Sequence, residues 1–101
     1  MSQGRRINIT PGARADLEDI YIYGFLKFGE KTADAYIDRF YTAFDMLKYH
    51  EVGLHRDEIK AGLCPLPVAS HAIWFFPGAE QVLIARVLHQ ARDFQNSQLW
   101  L

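Results

Sequence analysis

Apolar residues in the first half of the chain recur at helical spacing, those in the second half at strand spacing, and the change falls near Gly53. In "RRINIT" (5–10), Ile7 and Ile9 share one face, which predicts a short strand. Thr10-Pro11 reads as an N-cap followed by proline at the first helical position. Asp16, Glu18 and Asp19 are expected in the first turns, where the helix dipole favours anions. Ala13, Leu17, Ile20, Tyr21, Gly24, Phe25 and Phe28 supply the apolar stripe, and Gly29 the stop. A second helix is expected to start between Glu30 and Thr32 and to bury Ala33, Tyr36, Ile37, Phe40, Phe44 and Leu47. Asp34, Asp38, Arg39, Asp45 and Lys48 mark its solvated face. So short a joint predicts an antiparallel helical hairpin.

From Gly53 onward, Gly, Pro and β-branched residues dominate. "HAIWFF" (71–76) and "QVLIARVL" (81–88) flank "PGAE" (77–80) as a β-hairpin. A weaker strand is expected within 59–66, shortened or bulged by Pro65 and Pro67. The order is β-α-α-β-β-β, which predicts one α+β domain over 1–101, a helical hairpin packed on a small, mostly antiparallel sheet. Both faces of 82–88 are largely apolar: Val82, Ile84, Arg86 and Leu88 alternate with Leu83, Ala85 and Val87. Two helices cover only one face, so a second apolar face calls for another cover. The tail with Phe94, Leu99 and Trp100, a second copy or a different protein could provide it, and Trp74, Phe76, Val82 and Ile84 are the candidate docking residues.

Composition narrows the function classes. Lys and Arg total 11 against 12 acidic residues, a net charge of -1 that offers no bulk attraction for a phosphate backbone. Direct nucleic-acid binding is therefore not expected. One cysteine, Cys64, excludes an intramolecular disulfide and fits a reducing compartment. No apolar run follows Arg5-Arg6 as a leader would need, and none is long enough to span a membrane, so a cytoplasmic location is expected.

His50, His55, His71, His89 and Cys64 show no metal-ligand spacing, Ser70 and His71 are strand neighbours that point to opposite faces, and no phosphate-binding loop is present. No cofactor or metal is expected. "GLHRDEI" (53–59) gathers His55, Arg56, Asp57 and Glu58, either a general base with an anion clamp or a solvated turn. Arg86, within an apolar strand, needs a carboxylate partner, for which Asp93 and Glu58 are candidates. His89 lies three residues later, so an unbroken strand sets it on the opposite face from Arg86.

Four stretches then act together: "ITPGARADLEDIYIYGFLKFGEKTADAYI", "GLHRDEI", "HAIWFF" and above all "RVLHQARD". With these the chain resembles the ParE-like toxins of the RelE/ParE superfamily, from bacterial type II toxin-antitoxin modules, from about Ile7 to Asp93. The resemblance implies a protein that works by binding: inhibition of DNA gyrase, neutralised by a ParD-like antitoxin that lays a helical and extended segment over the toxin. It implies the possibility of a toxin dimer or a heterotetramer with antitoxin, and makes Trp74, Phe76, Val82 and Ile84 candidates for the antitoxin face. By motif position, Asp16, Leu17 and Ile20 fall on the helix signature, Arg56 on the basic turn, and Arg86, His89 and Asp93 on the terminal motif, where holding the sheet end together is expected rather than catalysis. The chain departs from the family pattern around the basic turn, with His50, Glu51, Gly53 and Leu54, and in the hairpin, where Phe75 and Phe76 stand at the common Tyr and Arg positions.

Two other functions compete. A RelE-like enzyme cleaves messenger RNA on the ribosome and needs a base, an acid and cationic stabilisation of the phosphate. Arg56, Arg86 and His89 are the only set available for it, with few basic residues to dock on ribosomal RNA. The third function is a non-toxic module that binds antitoxin, as a co-repressor.

Overall fold

The computed structural model describes residues 4–50 and 60–90. β1 (Arg6–Ile9), α1 (Pro11–Phe28), α2 (Glu30–Tyr49), β2 (Cys64–Val68), β3 (His71–Pro77) and β4 (Gln81–His89) follow in the order read from the sequence. They form two helices packed on a four-stranded mixed sheet of order β1-β4-β3-β2. β1 runs parallel to β4, and the other neighbours are antiparallel. The first strand thus lies beside the last of the described strands, and the chain between them runs through the helical hairpin and then β2 and β3.

Local chemistry accounts for the element ends. The Thr10 hydroxyl accepts the Ala13 N–H at 3.0 Å and caps α1, with Pro11 in the first turn. Gly29 alone joins the helices: its φ of 91° is open to glycine at little cost, its N–H donates to Phe25, and its carbonyl accepts from Ala33. Arg5 closes the other end of α2, its guanidinium donating to the carbonyls of Leu47 (2.7 Å) and His50 (2.8 Å), and to Gly78 in the β3–β4 turn. A cation at a helix C-terminus satisfies carbonyls that have no partner within the helix.

Three sequence expectations need correction. Strand β2 lies at 64–68, later than expected, and contains both prolines. Pairing opposite β3 is possible only if Cys64, Leu66 and Val68 turn their N–H groups inward, so the nitrogens of Pro65 and Pro67 point away from the sheet. On this edge strand the prolines forfeit no ladder bonds and block pairing by a further strand.

The faces of the hairpin are also redistributed. Pro77 stands opposite Val82 and Phe75 opposite Ile84, but Trp74 pairs with Arg86, leaving Ala85 as an extra residue in a β-bulge. The bulge shifts the alternation. Val82, Ile84, Val87 and Phe75 join Ala13, Leu17, Phe40, Phe44 and Leu47 in the core between sheet and helices. Trp74, Ala72 and Leu88 cluster with Leu63 on the other side, Phe76 packing partly against them. Val82 and Ile84 therefore do not share a face with Trp74 and Phe76. Nor is that second face open, because Trp74 is only 2% exposed and its neighbours in the cluster are buried too. The tail residues Phe94, Leu99 and Trp100 lie outside the described residues.

The third correction concerns α1. Its stripe is buried at Ala13 and Leu17 and partly buried at Ile20, but Phe25 and Phe28 are exposed, as are Ile22, Tyr23 and Leu26. Among the described residues, the distal half of α1 packs on α2, with Gly24 against Ala33. Among the described residues no helix is long and apolar enough to cross a membrane.

This distribution predicts unequal costs for apolar truncation. Phe40→Ala, in the core, should lower the urea unfolding free energy by about 3–5 kcal/mol. Leu26→Ala should change it by no more than about 0.5 kcal/mol.

Candidate functional site

The end of β1 creates a local problem. Its pairing with β4 stops at Ile9 opposite Ile84, while β4 continues to His89. Beyond that point the chain has already turned into α1, whose first two turns supply the missing partners. Thr10 donates its N–H to the Ile84 carbonyl (3.1 Å) and its hydroxyl to the Ala85 carbonyl (2.7 Å). Asp16 then accepts the Val87 N–H on Oδ2 at 2.9 Å. The same carboxylate grips Arg86 bidentately, Oδ2 to Nε and Oδ1 to Nη2, both at 2.7 Å.

This is the partner that Arg86 required. The sequence offered Asp93 and Glu58, both outside the described residues, whereas the observed carboxylate stands 70 positions upstream. Asp16 also has a different role from that expected: no acidic residue occupies the first turn of α1, and Asp16 binds the sheet instead of the helix dipole. Side-chain exposures of 20% for Arg86 and 12% for Asp16 place the pair between surface and core. Hydrogen bonding to Asp16 raises the Arg86 pKa against the opposing effect of burial, with the carboxylate's charge adding to the rise. A bidentate, partly desolvated pair of this kind holds geometry far better than a surface ion pair.

Leu17 and Ile20, beside Asp16 in the signature, are core-packing residues. His89 occupies a second cluster. β4 runs unbroken from Arg86 to His89, and Val87 faces the helices while Leu88 faces away, so His89 returns to the helix side and Arg86 does not share its face. There His89 stands directly opposite His71, with ring centroids 5.2 Å apart. His71 Nδ1 lies 2.8 Å from the Tyr36 hydroxyl, which also accepts the Ser70 N–H, and Phe40 packs edge-on against the same imidazole. Sequence reading left this Tyr36–His71–His89 contact unseen, because it depends on the β3–β4 register and on how α2 crosses the sheet. Arg56 and Asp93 lie outside the described residues, as do His55, Asp57 and Glu58. Of the family departures, Phe75 proves to be a core residue at 1% exposure, so no surface hydroxyl is lost there. Phe76 is partly buried on the other face.

The fold and these two clusters define a small α+β scaffold whose motif residues bind its own elements together. The family described as "ParE toxin of type II toxin-antitoxin system, parDE" matches residues 7–94, and the chain belongs to it. It is 30% identical over 94 residues to "Toxin ParE1" of Mycobacterium tuberculosis, covering 91% of this chain and 96% of the relative. It is 31% identical over 82 residues to "Toxin ParE1" of Caulobacter vibrioides, covering 80% and 84%. A solved structure titled "Chromosomal ParDE TA system from P. aeruginosa" superposes with a TM-score of 0.75 at 18% identity, over 87% of this chain and 98% of that one, a likeness of fold.

The imidazole cluster gives a pH prediction. Burial, then the neighbouring His89, hold the His71 pKa below its ordinary value, against a smaller opposing pull from Asp16. The unfolded chain therefore takes up this proton more readily than the folded one. The contribution of His71 is intact above the ordinary value of about 6.5 and is lost as pH falls through the lower folded value. Urea unfolding between about pH 7.5 and 5 should show a steeper loss in the wild type than in His71→Phe. Equal slopes would assign the acid sensitivity to other groups.

Proposed function

We propose that this protein acts by binding: it inhibits DNA gyrase in the cytoplasm and is neutralised by a ParD-like antitoxin. The observation that carries the reading is the engagement of Arg86. A ribosome-dependent ribonuclease would need a free cation to stabilise phosphate charge and an acid–base group facing the same atoms. Arg86 has two of its donors committed to Asp16 and stands on a different face of β4 from His89. The even balance of charge supports the same reading, since docking on ribosomal RNA relies on an excess of Lys and Arg. Support for an antitoxin partner comes from the family and from the toxin-antitoxin system named for the structural neighbour.

Purified protein added to gyrase should abolish supercoiling of relaxed plasmid, and the product of the adjacent antitoxin gene should restore it. Intact messenger RNA on translating ribosomes is expected in parallel. Untouched supercoiling together with ribosome-dependent cleavage would replace the proposal with the RelE-like function. Antitoxin binding with neither activity would leave a non-toxic module.

A further inference from the structure

No local spacing links His71 to His89 in the sequence, but the fold brings them together. The β3–β4 register sets them directly opposite each other, on the side of the sheet where α2 packs through Tyr36 and Phe40. Side chains at directly opposite positions of an antiparallel pair have Cβ atoms about 4.5–5.5 Å apart, so two imidazoles there can reach one point. Two imidazoles on one tetrahedral zinc ion, each with a Zn–N distance of about 2.0–2.1 Å, hold their ring centres roughly 5 Å apart. The observed distance between the ring centres is 5.2 Å. The pair therefore already has the spacing of two ligands of a single ion.

The surroundings hold both residues in place. His71 Nδ1 lies 2.8 Å from the Tyr36 hydroxyl, whose oxygen also accepts the Ser70 N–H at 3.3 Å. When Nδ1–H donates to that oxygen the lone pair falls on Nε2, which is the tautomer that metal binding selects. The Tyr36 oxygen then takes the place that a carboxylate, carbonyl or water takes behind a ligating histidine. The residue after His89 pins the backbone: Gln90 donates its N–H to the Ser70 carbonyl (2.9 Å) and its side-chain amide to the carbonyls of Ala69 (2.7 Å) and His71 (3.1 Å). The turn between β2 and β3 is thus fastened to the end of β4, and the histidines cannot slip out of register without breaking these bonds. Ligation uses one nitrogen of His89 and leaves the other for a hydrogen bond, as Nδ1 of His71 has with Tyr36. His89 is exposed and His71 half-buried, so an ion can enter and water can complete its coordination.

We propose that His71 and His89 form a binding site for a zinc-like divalent metal ion, each giving one ring nitrogen, with Tyr36 as the positioning residue behind His71. Imidazole nitrogens suit zinc, copper or nickel, whereas magnesium and calcium take oxygen ligands. The ion cross-links β3 to β4 and, through Tyr36, ties both to α2. This binding does not depend on gyrase or on antitoxin, so its test is separate from that of the proposed function.

Isothermal titration of the full chain, without an affinity tag, should show one saturable site for zinc chloride and none for magnesium chloride. Tyr36→Phe keeps both ligands and should weaken zinc binding about tenfold. His89→Ala removes one ligand and should weaken it further, while His50→Ala, at the far end of α2, should bind as the wild type does. Zinc at about ten times its dissociation constant should raise the wild-type melting temperature by about 5 °C or more, and that of His89→Ala by less than half as much. Imidazole nitrogen NMR of the wild type needs no variant to fold: zinc should shift the His71 and His89 resonances and leave that of His50 in place. No saturable zinc binding, binding indifferent to His89→Ala, or shifts confined to other histidines would overturn the proposal. A Tyr36→Phe variant that binds zinc as tightly as the wild type would overturn the positioning role of Tyr36.

Discussion

Past Ile84, β4 loses its parallel neighbour while its outer edge still carries polar backbone groups that must be satisfied. Leaving a buried N–H or carbonyl unpaired costs about as much as a hydrogen bond to a charged group contributes. Here α1 meets that demand with its own first residues, Thr10 on two carbonyls and Asp16 on the Val87 N–H. Because one carboxylate serves both the strand backbone and Arg86, the position of α1 on the sheet is fixed in rotation and in register together. The bulge at Ala85 belongs to the same arrangement, since it presents the Ala85 carbonyl to Thr10 and sets Trp74 opposite Arg86.

The latch also divides the molecule. The half of α1 beside the latch, from Ala13 to Ile20, is committed to the core, and the half beyond it projects with large apolar side chains in solvent. Arg86, the residue most suggestive of catalysis in the sequence, is consumed in building the scaffold. The same holds for Arg5, which closes α2 and the β3–β4 turn. Both cations are thus engaged within the fold, one joining α1 to the sheet and the other joining α2 to the β3–β4 turn.

What the sequence revealed and what it hid divide along a physical line. Local signals were legible: the Thr10-Pro11 cap, the Gly29 joint and the helical stripe of α2 all act within a few residues. Strand register was not, because the pairing across the turn and the bulge at Ala85 decide which side each residue faces: "PGAE" marks the turn but not that Pro77 pairs with Val82, and the bulge carries no mark beyond the alternation it disturbs. For that reason Val82 and Ile84 were grouped with Trp74 although they face the helices. The Asp16–Arg86 contact was hidden by its separation, since nearer carboxylates look equally able to serve. The first and last of the family stretches, which hold Asp16 and Arg86, are the two segments that meet at this carboxylate.

The central claim is that this contact couples α1 to the sheet, and a double-mutant cycle on the two side chains tests it most directly. Urea unfolding of the wild type, Asp16→Ala, Arg86→Ala and the double variant should give a coupling energy of about 1.5–3 kcal/mol. A coupling below about 0.5 kcal/mol, the level of an exposed surface pair, would contradict it.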